Sequence, residues 1–251
     1  MDLRLNIPAK WIDLSPCQLW FVSLLFLSGI TETEFLVKAF MNLSGLRVVC
    51  PLKPDRDGAR WYKHRLLKKP VLIAPEVFVQ MTESCRFLLK PDEIIPLPWL
   101  RMARARHYRL YNASLEEYLM AENYYFAYVE TKKPQHLDNL ISVLYRRPWH
   151  RWNASKIQKR AAIFSSLDAV TKNTVFMWYI GFRTYVPRRC RSLFSGKRSS
   201  RAFNPRSYIN GMIHQLTNGD ITLKKELLKQ PVWNALDELE QRALEVESIK
   251  K

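Results

Sequence analysis

The sequence predicts a mainly α-helical fold: a multi-helix bundle with a small β-hairpin and short strands inserted near residues 46–90. Three observations carry this. Capping-box spacings recur at Ser15/Gln18, Thr31/Glu34 and Ser114/Glu117, where a hydroxyl and a Glu or Gln three residues on satisfy orphan helix N–H groups reciprocally. Apolar and aromatic residues return at helical spacing, most clearly at Val175, Trp178, Tyr179, Phe182 and Tyr185. Only seven glycines occur in 251 residues, too few for the tight turns of an all-β chain.

A composition of 47% apolar residues, with eight Trp, twelve Phe and eleven Tyr, is that of a folded chain. Disordered chains lack such residues and bury too little to offset the entropy of ordering. The length suits one large domain or two small ones.

Ser15, Pro16 and Gln18 open a helix that runs to about Ser28, where Gly29 suits a left-handed end. Thr31 and Glu34 open a second, to about Leu43, and the short connection makes a helical hairpin. The apolar run Leu19–Leu27 is too short to span a bilayer. Asp2 and Asp13 precede it and no small-residue cleavage site follows, so it reads as a buried helix and not as a signal peptide.

Leu46–Cys50 and Trp61–Leu67 flank the turn-forming Asp55-Arg56-Asp57-Gly58 and read as a β-hairpin. Val71–Ile73 and Arg86–Leu89 read as further short strands, with a helix from Pro75 to about Ser84 between them. Three prolines between Pro91 and Trp99 mark a linker or a surface strap. Residues 1–100 and 101–251 are then two domains, or one domain with a β excursion.

From Ser114 the pattern is helical again. Leu115, Tyr118, Leu119, Glu122 and Tyr125–Phe126 lie at helical spacing, and Pro134 ends or interrupts that helix. Leu137, Leu140, Ile141 and Leu144 line the next, which stops before Pro148. Residues 156–168 form a further short helix. The aromatic stripe of residues 175–185, ending near Pro187, reads as core. Residues 188–206 read as loop, and 207–217 and 221–229 as helices around Asn218-Gly219-Asp220. Asn234 caps a last helix, with Leu236, Leu239, Ala243 and Val246 on one face and Asp237, Glu238, Glu240, Glu245 and Glu247 on the other.

The net charge of +17 is unevenly spread. Residues 1–100 hold 13 Lys and Arg against 10 acids, residues 101–219 hold 21 against 6, and residues 220–251 hold 6 against 7. Within residues 146–206, fifteen basic residues face the single acid Asp168. Such a concentration attracts phosphate, anionic lipid or an acidic protein face. The candidate contacts are Arg146, Arg147, Arg151, Lys156, Lys159, Arg160, Arg188, Arg189, Arg191, Lys197, Arg198 and Arg201. Trp149, Trp152, Phe194 and Phe203 are interleaved as aromatic contacts, since nucleic-acid grooves pair cations for phosphates with rings for bases. Trp149 and Trp152 read equally as core residues beside a basic rim.

Signals for catalysis are missing. His64, His107, His136, His150 and His214 fall in separate segments, and no metalloprotease, nucleophile-elbow or phosphate-loop motif occurs. Gly196-Lys197-Arg198-Ser199 lacks the first glycine a phosphate loop needs. Glu116 and Glu117 point in different directions on a helix, and Glu122 reads as a helix-surface charge, the alternative being a buried acid among tyrosines. Cys17, Cys50, Cys85 and Cys190 are too scattered for a structural zinc site and read as buried free thiols of a reducing cytoplasm. No catalytic residue, cofactor or metal is assigned.

Three segments resemble proteins encoded with the tail-morphogenesis genes of tailed phages and prophages. They are Trp11-Ile12-Asp13-Leu14-Ser15-Pro16-Cys17-Gln18-Leu19; Ala113–Tyr118 followed by Leu140–Pro148; and Leu216–Thr222 with Trp233 and Leu236-Asp237-Glu238-Leu239. Together they touch about a third of the chain. The resemblance implies a non-enzymatic, chaperone-like role in tail or baseplate assembly in the bacterial cytoplasm, binding a structural client such as a tape-measure or hub protein. The alternative is a nucleic-acid-binding protein that uses residues 146–206; a third reading is a peripheral protein on anionic lipid.

Overall fold

In the computed structural model, Ser15 Oγ accepts a hydrogen bond from Gln18 N at 3.3 Å while Gln18 Oε1 accepts from Ser15 N at 2.8 Å. That capping box starts α1 (Pro16–Leu27), and Gly29 turns the chain at a φ of 63°. Thr31 Oγ1 accepts from Glu34 N to start α2 (Glu32–Ser44), which Gly45 ends at a φ of 69°. Structure is described for residues 5, 7–49, 58–64, 69–91, 95–96, 98, 100, 103–105, 109–146, 152–194, 210–211, 213–214, 216–220 and 222–249. The fold is mainly α-helical with short antiparallel strands, as the sequence predicts. The chain divides into two compact units, Met1–Pro96 and Leu97–Lys251.

In the first unit, β1 (Arg47–Val48), β2 (Arg60–Lys63) and β3 (Val71–Ile73) form an antiparallel sheet in chain order, with Val48 opposite Tyr62 and Trp61 opposite Leu72. The turn residues Asp55, Arg56 and Asp57 lie outside the described residues; Gly58, at a φ of 75°, is within them. Pro75 opens α3 (Pro75–Thr82). The core is built on Trp11, Leu19, Val22, Phe40, Leu46 and Leu88, and the Trp11 indole N–H donates to the Phe87 and Lys90 carbonyls.

Two expectations for this unit are corrected. Residues 86–89 belong to a 3-10 helix, Glu83–Leu89, and not to a strand. Cys85 and Leu88, three residues apart, are the ones fully buried, a period of three that a strand does not have. Arg86 is held to Glu83 at 2.7 Å on the outer side. Helix α1 is buried on one face only. Leu19, Val22 and Leu25 point inward, while Trp20, Leu24 and Leu27 are exposed.

In the second unit, α4 (Leu115–Thr131) and α5 (Pro134–Leu144) form a hairpin whose turn places Lys132 at a φ of 56°, and Pro134 starts α5 at its first position. Strands β4 (Arg104–Ala105) and β5 (Tyr145–Arg146) pair antiparallel. A 3-10 turn, Ala154–Lys156, leads into α6 (Ile157–Phe164). Helix α7 (Ala169–Arg189) carries the aromatic stripe, in which Val175, Trp178, Tyr179 and Phe182 are all fully buried. Pro187 sits within its last turn and removes the N–H that would donate to the carbonyl four residues back.

Residues 188–194 differ from the loop expected. Arg188 and Arg189 finish α7, and Arg191–Phe194 form the short helix α8. Helices α9 (Lys224–Lys229) and α10 (Val232–Ile249) follow, after helical residues at 210–211, 213–214 and 216–217. Asn234 does not cap α10, which begins two residues earlier. Pro231 bridges Ser114 antiparallel, Val232 N donates to Ala113 O at 3.0 Å, and Leu115 N donates to Gln230 O at 2.8 Å. The orphan N–H groups of α4 and α10 are thus satisfied partly by each other's leading backbone, which no local pattern announces.

Candidate functional site

The basic stretch folds back onto carboxylates supplied by distant helices. Arg146, at the end of β5, is buried and donates to Glu117 of α4. The same Glu117 closes the capping box, accepting from Ser114 N at 2.8 Å. Trp152 is half-buried and its indole N–H donates to Glu116. The Arg146 and Arg160 guanidinium carbons lie 5.5 and 5.3 Å from the centroid of the Trp152 ring. Arg160 also donates to the Asn153 carbonyl at 2.9 Å. Burial lowers its pKa, and the Glu117 carboxylate opposes that shift. Arg146, Arg160 and Trp152 are therefore brought together at the acidic N-terminus of α4, where the helix dipole already favours Glu116 and Glu117.

A second group forms where α7, α8 and α10 meet. Arg189 donates to both carboxylate oxygens of Asp237, at 3.2 and 3.0 Å, and its guanidinium lies 4.1 Å from the Trp233 centroid. Glu240 accepts from Ser192 N and Leu193 N at 2.8 and 2.7 Å, which caps α8 from outside. The acidic last helix thus neutralises the start of the basic segment. Arg188 and Arg191 are exposed, with Arg191 Nε–H donating to the Arg188 carbonyl at 3.3 Å, and Phe194 is half-buried. Lys156 and Lys159 are exposed around the start of α6. Arg147, Arg151, Lys197, Arg198, Arg201, Trp149 and Phe203 lie outside the described residues.

Two more cations of the stretch are consumed inside the fold. Lys172 Nζ lies 2.7 Å from Asp138 and donates to the Ser165 carbonyl. Arg183 Nε–H donates to Glu122 at 2.8 Å, stacked 4.0 Å from the Tyr125 centroid and 4.6 Å from that of Phe126. Glu122 is 2% exposed and also accepts from the Tyr179 hydroxyl at 2.8 Å. It is therefore the buried acid among tyrosines and not a surface charge. The signal was present: Glu122 occupies a core-facing place in the stripe of Leu115, Tyr118, Leu119 and Tyr125. Burial, followed by the Glu122 carboxylate, pushes the Tyr179 hydroxyl well above its ordinary range. Burial acts to lower the Arg183 pKa, yet Glu122 outweighs it and the net direction is up.

In these contacts opposite charges from distant parts of the unit close ion pairs. Among the described residues, no group of three or more His, Cys, Asp or Glu is placed to hold a metal ion. No helix of the described residues is long and apolar enough to cross a membrane. Compared with family models, curated proteins and solved structures, the chain matches none.

Proposed function

We propose that the chain acts by binding and not by catalysis, as a tail or baseplate assembly protein of the phage and prophage kind that holds a structural client such as a tape-measure or hub protein in the bacterial cytoplasm. The observation that carries a protein client over a nucleic acid is the state of Trp152. Its ring is engaged by Arg146 and Arg160 and its N–H by Glu116, so it offers no ready platform for an unstacked base. The described part of the basic stretch presents the cations Lys156, Lys159, Arg188 and Arg191 outward. Such a surface suits acidic segments of a protein partner.

Co-expression with tape-measure and hub candidates, followed by purification, tests this. A stable complex lost on Lys156→Glu/Lys159→Glu or Arg188→Glu/Arg191→Glu is expected; failure of every candidate to co-purify counts against it. Nucleic acid is the second reading, favoured by those same four exposed cations. Titration of the protein with mixed-sequence DNA and RNA across a salt series decides it, because phosphate contacts weaken steeply as salt rises. Tight, salt-sensitive binding that the same charge reversals abolish replaces the client with a nucleic acid.

A further inference from the structure

The first unit carries two adjoining hollows unrelated to the basic surface. One, of about 370 Å³, lies between α2, the sheet and α3, over Tyr62, Ile73 and Phe78. The other, of about 400 Å³, runs along α2 past Gly45 to Arg47. Val37 and Met41 line both, so the two adjoin along α2 and are taken together as a trough. Its floor is built on packed aromatic rings. Tyr62 and Phe78 stack with centroids 5.0 Å apart, and Phe78 meets Phe40 edge-on at 5.5 Å. At its lip Val79 is 55% exposed, and the neighbouring Val77 is exposed too.

The charged residues that line this trough are, among the described residues, of one sign. Lys38, Arg47 and Arg60 line the trough and are exposed. Among the described residues no acid lines either hollow, and the ion pairs described in this unit, Arg86 with Glu32 and with Glu83, use none of the three cations. We infer that this trough docks an amphipathic acidic segment of a partner protein, its apolar side chains on Val79, Phe78 and Met41 and its carboxylates against Lys38, Arg47 and Arg60. Grooves that receive helices have this plan, an apolar floor read at helical spacing within a charged margin. Met41 adds a side chain that adapts to what it meets. A second copy is a poorer occupant, because a two-fold contact would set the basic rim against itself. A phosphate backbone is poorer still, since the apolar floor gives its charges nothing to replace water.

The site is built from residues of the first unit, and its test separates it from whatever residues 146–191 bind. The probe is a labelled synthetic helix with Leu at i, i+3, i+4 and i+7 and Glu elsewhere, compared by fluorescence anisotropy with a Lys-for-Glu counterpart and a scrambled Glu peptide. The full chain is used, with the exposed-site variants Val79→Glu and Arg47→Glu/Arg60→Glu checked for unchanged circular dichroism. Binding of the Glu helix, weakened about tenfold or more by each variant and in the Lys counterpart, is expected. Three results overturn it: equal affinity for the scrambled peptide, binding unchanged by Val79→Glu, or binding lost only on Arg188→Glu/Arg191→Glu. Self-association of the chain that Val79→Glu abolishes also overturns it and makes a second copy the occupant.

Discussion

Glu117 and Arg146 form a buried ion pair across 29 residues of chain, and the same carboxylate caps α4 through Ser114. One side chain therefore fixes a helix start and a strand end together. A buried pair contributes little net energy against an apolar replacement, but removing one partner strands the other in low dielectric. Glu117→Ala loses the cap and leaves Arg146 uncompensated, so about 3–5 kcal/mol of stability is expected to go. Arg146→Met strands Glu117 and also destabilises. The double variant Glu117→Ala/Arg146→Met should lose less than the sum of its parts in urea unfolding, and strict additivity would show that the two are uncoupled.

Asp168, the lone acid of the basic stretch, caps α7. Its carboxylate accepts from Thr171 N at 2.8 Å and from the Thr171 hydroxyl at 2.6 Å. Burial acts to raise its pKa, but those hydrogen bonds prevail and hold it below the usual carboxylate range. A carboxyl whose folded pKa is depressed adds stability that is present above its unfolded pKa and is lost as pH falls through the folded one. Asp168→Ala is expected to cost about 1 kcal/mol at neutral pH. That gap should shrink towards zero in strong acid, as followed by thermal melts over a pH series. A gap that stays constant with pH would mean that the charge plays no part.

The cysteines are not equivalent. Cys17 is exposed, contrary to the expectation of buried thiols, while Cys85 and Cys190 are buried. Burial pushes the Cys85 thiol up to about 11, with the Ser84 hydroxyl opposing. Cys190 is likewise pushed up to about 11 by burial, then by Glu240 and Asp237. Since the thiolate is the nucleophile, both remain protonated through the neutral range. Mass spectrometry after brief maleimide treatment of the folded protein should find Cys17 labelled, with Cys85 and Cys190 labelled only after denaturation. Early labelling of Cys190 would mean that α10 does not stay docked on α8.

Much of the helical framework was legible because its signals are local. Ser15, Thr31 and Ser114 announce helix starts within four residues, and the α7 stripe needs only its own period. The start of α10 is not legible locally because the Ala113 carbonyl, far away in sequence, accepts from Val232 N in place of a cap. The basic surface was overstated for the same reason. Arg146, Lys172, Arg183 and Arg189 find Glu117, Asp138, Glu122 and Asp237 only through tertiary contact. A charge count along the chain cannot see partners 29 to 61 residues away. The trough of the first unit went unread because its lining comes from α2, the three strands and α3, none with a distinctive motif.

Arg183 tests whether the cations inside the second unit are held by shape as well as charge. Its guanidinium donates to Glu122 through Nε while stacking on Tyr125 and Phe126. A lysine keeps the charge but has no planar group to stack and no donor at that branch point. Arg183→Lys is therefore expected to cost about 1–3 kcal/mol in urea unfolding, from lost stacking and a weakened bond to a buried carboxylate. Tyr179→Phe removes the other donor to the same Glu122 oxygen and should cost about 1–2 kcal/mol. Because both bonds end on one oxygen, the combined variant should depart from additivity, leaving Glu122 buried with no strong donor. If Arg183→Lys unfolds at the wild-type midpoint, charge alone holds α4 to α7 and the aromatic stack contributes nothing.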